Sequence, residues 1–193
     1  MLDGRYHRSP DKAEKDEHKT MLGAAQLEWL KRELKASKAR VKFIASGSVF
    51  ESKGSDDAWI LYPHERRALL DFLKDEVGDG VILLSGDRHF TAGYQIEGRW
   101  LEVTTGPLGS GNATAPATDE TWLSCSIGKM WSVFEVDTSG ETPKVAYELW
   151  LTGAGLGERR ELTWDEVNGR ARIAPSPALP KGVQLTPKPA ANK

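Results

Sequence analysis

Apolar residues in the first half of the chain recur in two distinct patterns. Spacings of three and four residues, with charged residues between them, predict amphipathic helices over residues 24–36 and 63–77. Short continuous apolar runs at residues 41–45 and 81–84 predict buried strands. The order helix, strand, helix, strand predicts a mostly buried sheet that is covered by helices.

The second half of the chain has the pattern of antiparallel structure. Alternating apolar positions predict one hairpin over residues 94–103 and another over residues 130–151. The spacing of Thr163 and Glu166 is that of a capping box and predicts a short helix after them. The second half is therefore expected to be rich in strands.

Composition narrows the class of protein. A length of 193 residues predicts one domain, which we place at residues 1–173, followed by a proline-rich tail at residues 174–193. No apolar run is long enough for a transmembrane helix.

Charge and cysteine content limit the possible partners and cross-links. With 26 basic and 28 acidic residues, the chain has no electrostatic reason to bind duplex DNA. Cys125 is alone, which excludes an internal disulfide, and we expect it to be a buried structural thiol.

The candidate chemistry lies where the two predicted buried strands end. Ser46 follows the first strand, and Asp87 and His89 follow the second. Reactive groups of such sheets lie on loops at the carboxyl ends of the strands. A carboxylate and an imidazole can both bind iron, zinc or manganese. The alternative is a turn aspartate that caps the backbone beside a histidine with no ligand role, and the pattern alone leaves both open.

Two glycine-rich segments do not fit nucleotide-binding loops. Residues 153–157 have Glu158 where the third glycine of a dinucleotide turn belongs, so we predict a flexible turn there. Residues 106–114 lack the Gly-Lys-Ser/Thr step of a phosphate-binding loop.

Several ordered and correctly spaced segments resemble the alkaline phosphatase D (PhoD-like) branch of the metallophosphoesterases. They are Leu-Asp-x-Arg-x-x-Arg at 2–8, Leu-Gly-x-x-Gln-x-x-Trp-Leu at 22–30, Ile-Ala-Ser at 44–46, Tyr-Pro-x-Glu-Arg at 62–66, Ser-Gly-Asp-x-His at 85–89 and the strand at 101–108. The resemblance covers roughly residues 1–108.

The resemblance implies the carboxyl-terminal half of an α/β/β/α sandwich that hydrolyses phosphate esters through a metal-bound hydroxide. Asp87 and His89 match the family's last metal-ligating block, and iron and calcium are the implied metals. In the complete enzyme Arg5, and less firmly Arg8, would contact the substrate phosphate or brace the strand end, and a structural ion pair is the alternative that stays open. Export from the cytoplasm is also implied, although the first residues do not read as a signal peptide.

The family's first half, with its early metal-binding blocks, has no counterpart in this sequence. We therefore expect this chain to be incomplete and inactive alone, with the missing amino-terminal half as its partner. Two alternatives stay open. The chain could be a non-catalytic binding or scaffold domain of the same descent, or an unrelated α+β domain with a fortuitous turn at Asp87.

Overall fold

The computed structural model describes residues 1–51 and 57–177. The helices are α1 (Ala24–Ala36), α2 (Pro63–Phe72) and α3 (Trp164–Val167), with a 3-10 turn at Trp59–Leu61 and a π turn at Leu73–Val77. The strands are β1 (Lys42–Ala45), β2 (Val81–Ser85), β3 (Thr91–Ile96), β4 (Trp100–Thr104), β5 (Thr121–Cys125), β6 (Met130–Asp137), β7 (Lys144–Leu151) and β8 (Gly155–Leu162). The predicted helices, buried strands and hairpins are all confirmed.

The strands form two sheets. The first has the order β1-β2-β4-β3-β5, in which β1, β2, β4 and β5 run in one direction and β3 runs antiparallel to its neighbours β4 and β5. The second sheet, β6-β7-β8, is antiparallel throughout. Because β1 and β2 are parallel neighbours, their carboxyl ends meet at one edge of the first sheet.

The first sheet is buried on both faces. Alternate side chains such as Ile44 and Leu83 share one core with helices α1 and α2. The intervening side chains, among them Ile82 and Val103, pack against Tyr147 and its neighbours on the second sheet. The described residues thus form helix, sheet and sheet layers, in agreement with the expected half of an α/β/β/α sandwich.

Helix α1 is fastened to α2 at its start. Gly23 precedes the helix with φ of 74°, which glycine adopts without strain. The buried carboxylate of Glu65 on α2 accepts hydrogen bonds from the Thr20 hydroxyl and from the backbone amides of Met21 and Leu22. These bonds satisfy amides at the entry to α1 and fix the two helices on the same face of the sheet.

Two strands differ from the sequence prediction. The flexible turn predicted at 153–157 is only partly correct, because β8 begins at Gly155. A Cβ at Gly157 would lie 2.2 Å from a methyl carbon of Leu151, so the glycine allows the two strands to approach closely. Strand β5 was not predicted, since its short mixed sequence has no clear alternation.

The described residues after 173 lie against the sheets. The Ser176 amide donates to the carbonyl of Trp122 at 2.6 Å, so residues 174–177 contact the sheets. Residues 178–193 of the predicted proline-rich tail lie outside the described residues. No helix in the described ranges is long and apolar enough to cross a membrane.

Candidate active site

Two loops leave the first sheet side by side and form an open depression. The Ser46 amide, directly after β1, donates to the Leu84 carbonyl at 2.8 Å. The Leu2 amide donates to the Ala45 carbonyl at 2.7 Å, which brings the amino-terminal segment to the same edge. The depression has a volume of about 430 Å³, and the described residues that line it are Met1, Arg5, Ala45, Ser46, Gly47, Leu84, Ser85, Gly86 and Asp87.

The loop after β2 turns sharply at the two predicted metal ligands. Asp87 has φ of 68° and His89 has φ of 58°, a left-handed conformation that non-glycine residues seldom adopt. Residues held in this way cluster at functional sites. The Asp87 side chain is half exposed at the depression, and His89 is exposed but does not line it.

Arg5 lies directly beside Asp87. Its Nη2 atom is 3.2 Å from Oδ2 of Asp87 and 2.5 Å from Oδ2 of Asp57. The Asp3 carboxylate accepts hydrogen bonds from the amides of Arg5 and Tyr6, both at 2.9 Å. This side chain–backbone turn fixes the segment from which Arg5 reaches the depression.

Asp57 is a residue of this site that the sequence did not single out. Its Oδ1 atom is 2.5 Å from Nη1 of Arg8, and both side chains are largely buried. Burial raises the pKa of Asp57, but the hydrogen bond from Arg8 and the charges of Arg5 and Arg8 outweigh it, so the pKa lies below its usual value. Asp57 is therefore an ionised anchor for two arginines.

Glu102 on β4 is the second residue that sequence reasoning missed. Its side chain is completely buried behind the loops, and burial raises its pKa to about 7 in spite of three hydrogen bonds. A signal existed, because a glutamate inside the apolar run of β4 has no reason to be there unless it is partnered.

The predicted ligands do not make a metal centre alone. Across residues 1–51 and 57–177, no three His, Cys, Asp or Glu side chains are grouped so that they could hold a metal ion. The donor types fit, since a carboxylate oxygen suits calcium or iron and an imidazole nitrogen suits iron. Their number does not complete a site. The roles of Arg5, Asp87 and His89 stay predictions.

The layered fold and the loops at the strand ends define an α/β domain with an open site at one edge of its first sheet. A sequence model described as PhoD-like phosphatase matches residues 1–147, and the chain belongs to the PhoD-like phosphatase family.

A solved structure titled "Structure of PhoD" matches this chain with a TM-score of 0.58 and 17% sequence identity. The match covers 84% of this chain and 41% of that chain. At this identity the likeness supports the fold alone. No curated protein matches the sequence.

Proposed function

We propose that this chain supplies one side of the active site of a metal-dependent phosphoester hydrolase. Asp87 and His89 would be metal ligands, and Arg5 would bind the phosphate of the substrate. The observation that carries the proposal is the contact at 3.2 Å between Arg5 and Asp87 in the open depression. A guanidinium group suits phosphate geometry, and here it lies beside a half-exposed carboxylate, which is a side chain of the metal-binding type.

Iron and calcium are the metals proposed from the family. A bound metal ion would supply an activated water molecule and would offset negative charge on the phosphoryl oxygens. Arg5 would hold those oxygens, while Asp57 and Arg8 would hold Arg5 in place. Family membership also supports a location outside the cytoplasm.

The remaining ligands would come from polypeptide outside this chain. Strands β1 and β6 are terminal in their sheets and lie near one another, since the rings of Phe43 and Phe134 are 5.5 Å apart. Within the described residues, only the single bridge of Leu2 to Ser46 extends the first sheet beyond β1. Phe43 is 43% exposed and Val136 is 36% exposed at this side. An apolar side with two open sheet edges is a surface that further strands would cover.

A non-catalytic binding or scaffold domain is the second candidate. It is favoured by the pairing of Asp87 with Arg5, which already neutralises the carboxylate that a metal would need. The two candidates differ in whether a cation displaces Arg5 from Asp87.

The experiment is a titration of the 193-residue chain with Mn²⁺, followed by paramagnetic broadening of backbone amide signals. We expect broadening at residues 86–89, and its loss in the Asp87→Asn variant. Asp71→Asn is the matched control, because Asp71 is an exposed carboxylate on α2 that pairs with Arg67. Broadening that is unchanged in Asp87→Asn, or that is confined to other acidic surfaces, would reject Asp87 as a ligand.

A further inference from the structure

Glu102 has an environment that neither the proposed chemistry nor core packing explains. It projects from β4, and its side chain has no exposed surface. Its Oε1 atom accepts hydrogen bonds from the Phe50 amide at 2.8 Å and from the Ser85 hydroxyl at 2.6 Å. Its Oε2 atom accepts one from the Glu51 amide at 2.9 Å. A buried carboxylate is costly unless several donors converge on it, as they do here.

The three donors come from the two segments that leave the sheet at the depression. Ser85 is the last residue of β2 and stands two positions before Asp87. Phe50 and Glu51 close the segment that begins at Ser46, directly after β1. The buried carboxylate of Glu102 therefore connects the segment after β1 to the end of β2.

The segment after β1 is also fixed from the side of α2. Arg66 donates through Nε to the carbonyl of Phe50 at 3.0 Å, and its Nη2 atom is 3.2 Å from Oε2 of Glu51. Arg66 and Glu102 both bind Phe50 and Glu51. The backbone of these two residues therefore has little freedom to move when Glu102 is changed. Loss of an acceptor at Glu102 would therefore mainly displace the loop that follows Ser85, because only the Ser85 hydroxyl links that loop to Glu102.

We propose that Glu102 is a positioning residue, which sets the placement of the Asp87 loop relative to the segment after β1. The proposal rests on the proposed function for its importance, since these segments line the candidate site. The placement itself is a structural property that can be measured without any activity.

The test compares backbone amide spectra of the 193-residue chain with those of three variants. In Glu102→Gln, an NH₂ group replaces one of the two accepting oxygens. It faces an N–H or O–H donor that it cannot accept from, so at least one of the three hydrogen bonds is lost. We expect shifts at residues 50 and 51 and also at residues 86–89. In Ser85→Ala the two amide bonds remain, and we expect shifts at residues 88 and 89, which lie beyond the direct sequence effect of the substitution, with residues 50 and 51 nearly unchanged. Glu135→Gln is the control, since Glu135 is an exposed strand glutamate that pairs with Arg159.

The proposal fails if residues 88 and 89 keep their wild-type shifts in Ser85→Ala, or if residues 86–89 keep theirs in a folded Glu102→Gln variant. Should Glu102→Gln not fold, Ser85→Ala alone decides. Mn²⁺ added to the same samples separates this proposal from the proposed function. Loss of broadening at residues 86–89 in Ser85→Ala would support both. An absence of broadening in the wild-type chain would contradict the metal site, while the shifts would still decide the role of Glu102.

Discussion

Arg5 and Asp87 are 82 positions apart in the sequence, yet Nη2 of Arg5 lies 3.2 Å from Oδ2 of Asp87. The contact exists because the amino-terminal segment runs beside β1 while Asp87 follows β2, the parallel neighbour of β1. The strand order thereby brings Arg5, a side chain that suits phosphate, and Asp87, a side chain that suits a metal ion, to the same depression.

Arg5→Gln should leave stability nearly unchanged and weaken phosphate binding. The Arg5 side chain is about half exposed, and exposed ion pairs contribute about 0–1 kcal/mol. Its other partner, Asp57, keeps the ion pair with Arg8 when Arg5 is replaced. Chemical denaturation should therefore give a midpoint close to that of the wild type. Titration with inorganic phosphate, followed by amide shifts at residues 5 and 86–87, should show lower affinity. Equal phosphate affinity in both proteins would argue against a substrate role for Arg5.

Asp57→Asn should be clearly destabilising, because it removes the nearer and more buried of the two carboxylates that pair with the largely buried Arg8 guanidinium. Loss of a hydrogen bond to a charged group in such a setting costs about 1–3 kcal/mol. The folded pKa of Asp57 lies below the ordinary 3.8, so its stabilisation is present above that pH and is lost as the pH falls through the lower folded pKa. Denaturation of Asp57→Asn should thus depend less on pH below about pH 4 than that of the wild type. Asp71→Asn, at an exposed site, should behave like the wild type at every pH.

Because of Glu102, the free energy of unfolding of the chain should decrease as the pH rises from mildly acidic to neutral. Burial raises its folded pKa from 4.5 to about 7, so the folded state holds a proton that the unfolded state releases. The contribution is complete below pH 4.5 and is lost as the pH rises through about 7. A shift of this size corresponds to about 3 kcal/mol. Urea denaturation at several pH values should show this slope in the wild type and a flatter profile in Glu102→Gln. A wild-type profile as flat as that of the variant would contradict the account.

Phe43→Lys should reduce self-association of the chain. Phe43 is 43% exposed on β1, beside the open edge of β6, and apolar sheet edges promote pairing between chains. Sedimentation velocity at increasing protein concentration should show association in the wild type and less in the variant. Leu108→Lys is the control, because Leu108 is 71% exposed on a loop outside both sheets. If Leu108→Lys reduces association and Phe43→Lys does not, the open side of β1 and β6 is not the surface through which the chains associate.

The sequence predicted the fold well where periodicity is strong. The residue spacing in α1 and the apolar run of β2 correspond to elements that are amphipathic or buried on both faces, so their pattern follows directly from their environment. Strands β5 and β8 lack such a pattern. Strand β8 carries charged residues in its middle and depends on Gly157, whose role appears only when Leu151 lies against it.

The candidate site was predicted only in part. Asp87 and His89 follow a buried strand, so their place at the sheet edge could be inferred from local sequence. The partners that hold them come from distant segments: Asp57 precedes α2, and Glu102 lies on β4. Nothing local links these residues to Asp87, because their roles arise from strand order, which the sequence pattern does not specify.

The most direct test is the metal-dependent hydrolysis of p-nitrophenyl phosphate by this chain together with the polypeptide proposed to complete its site, measured for the wild type and for Asp87→Asn at equal folded concentration. Loss of one metal ligand in such a centre should lower the rate by about 100-fold or more, and a chelator should abolish the wild-type activity. A wild-type rate that resists the chelator, or an Asp87→Asn rate within twofold of the wild type, would contradict the assignment of this strand end to the catalytic metal site.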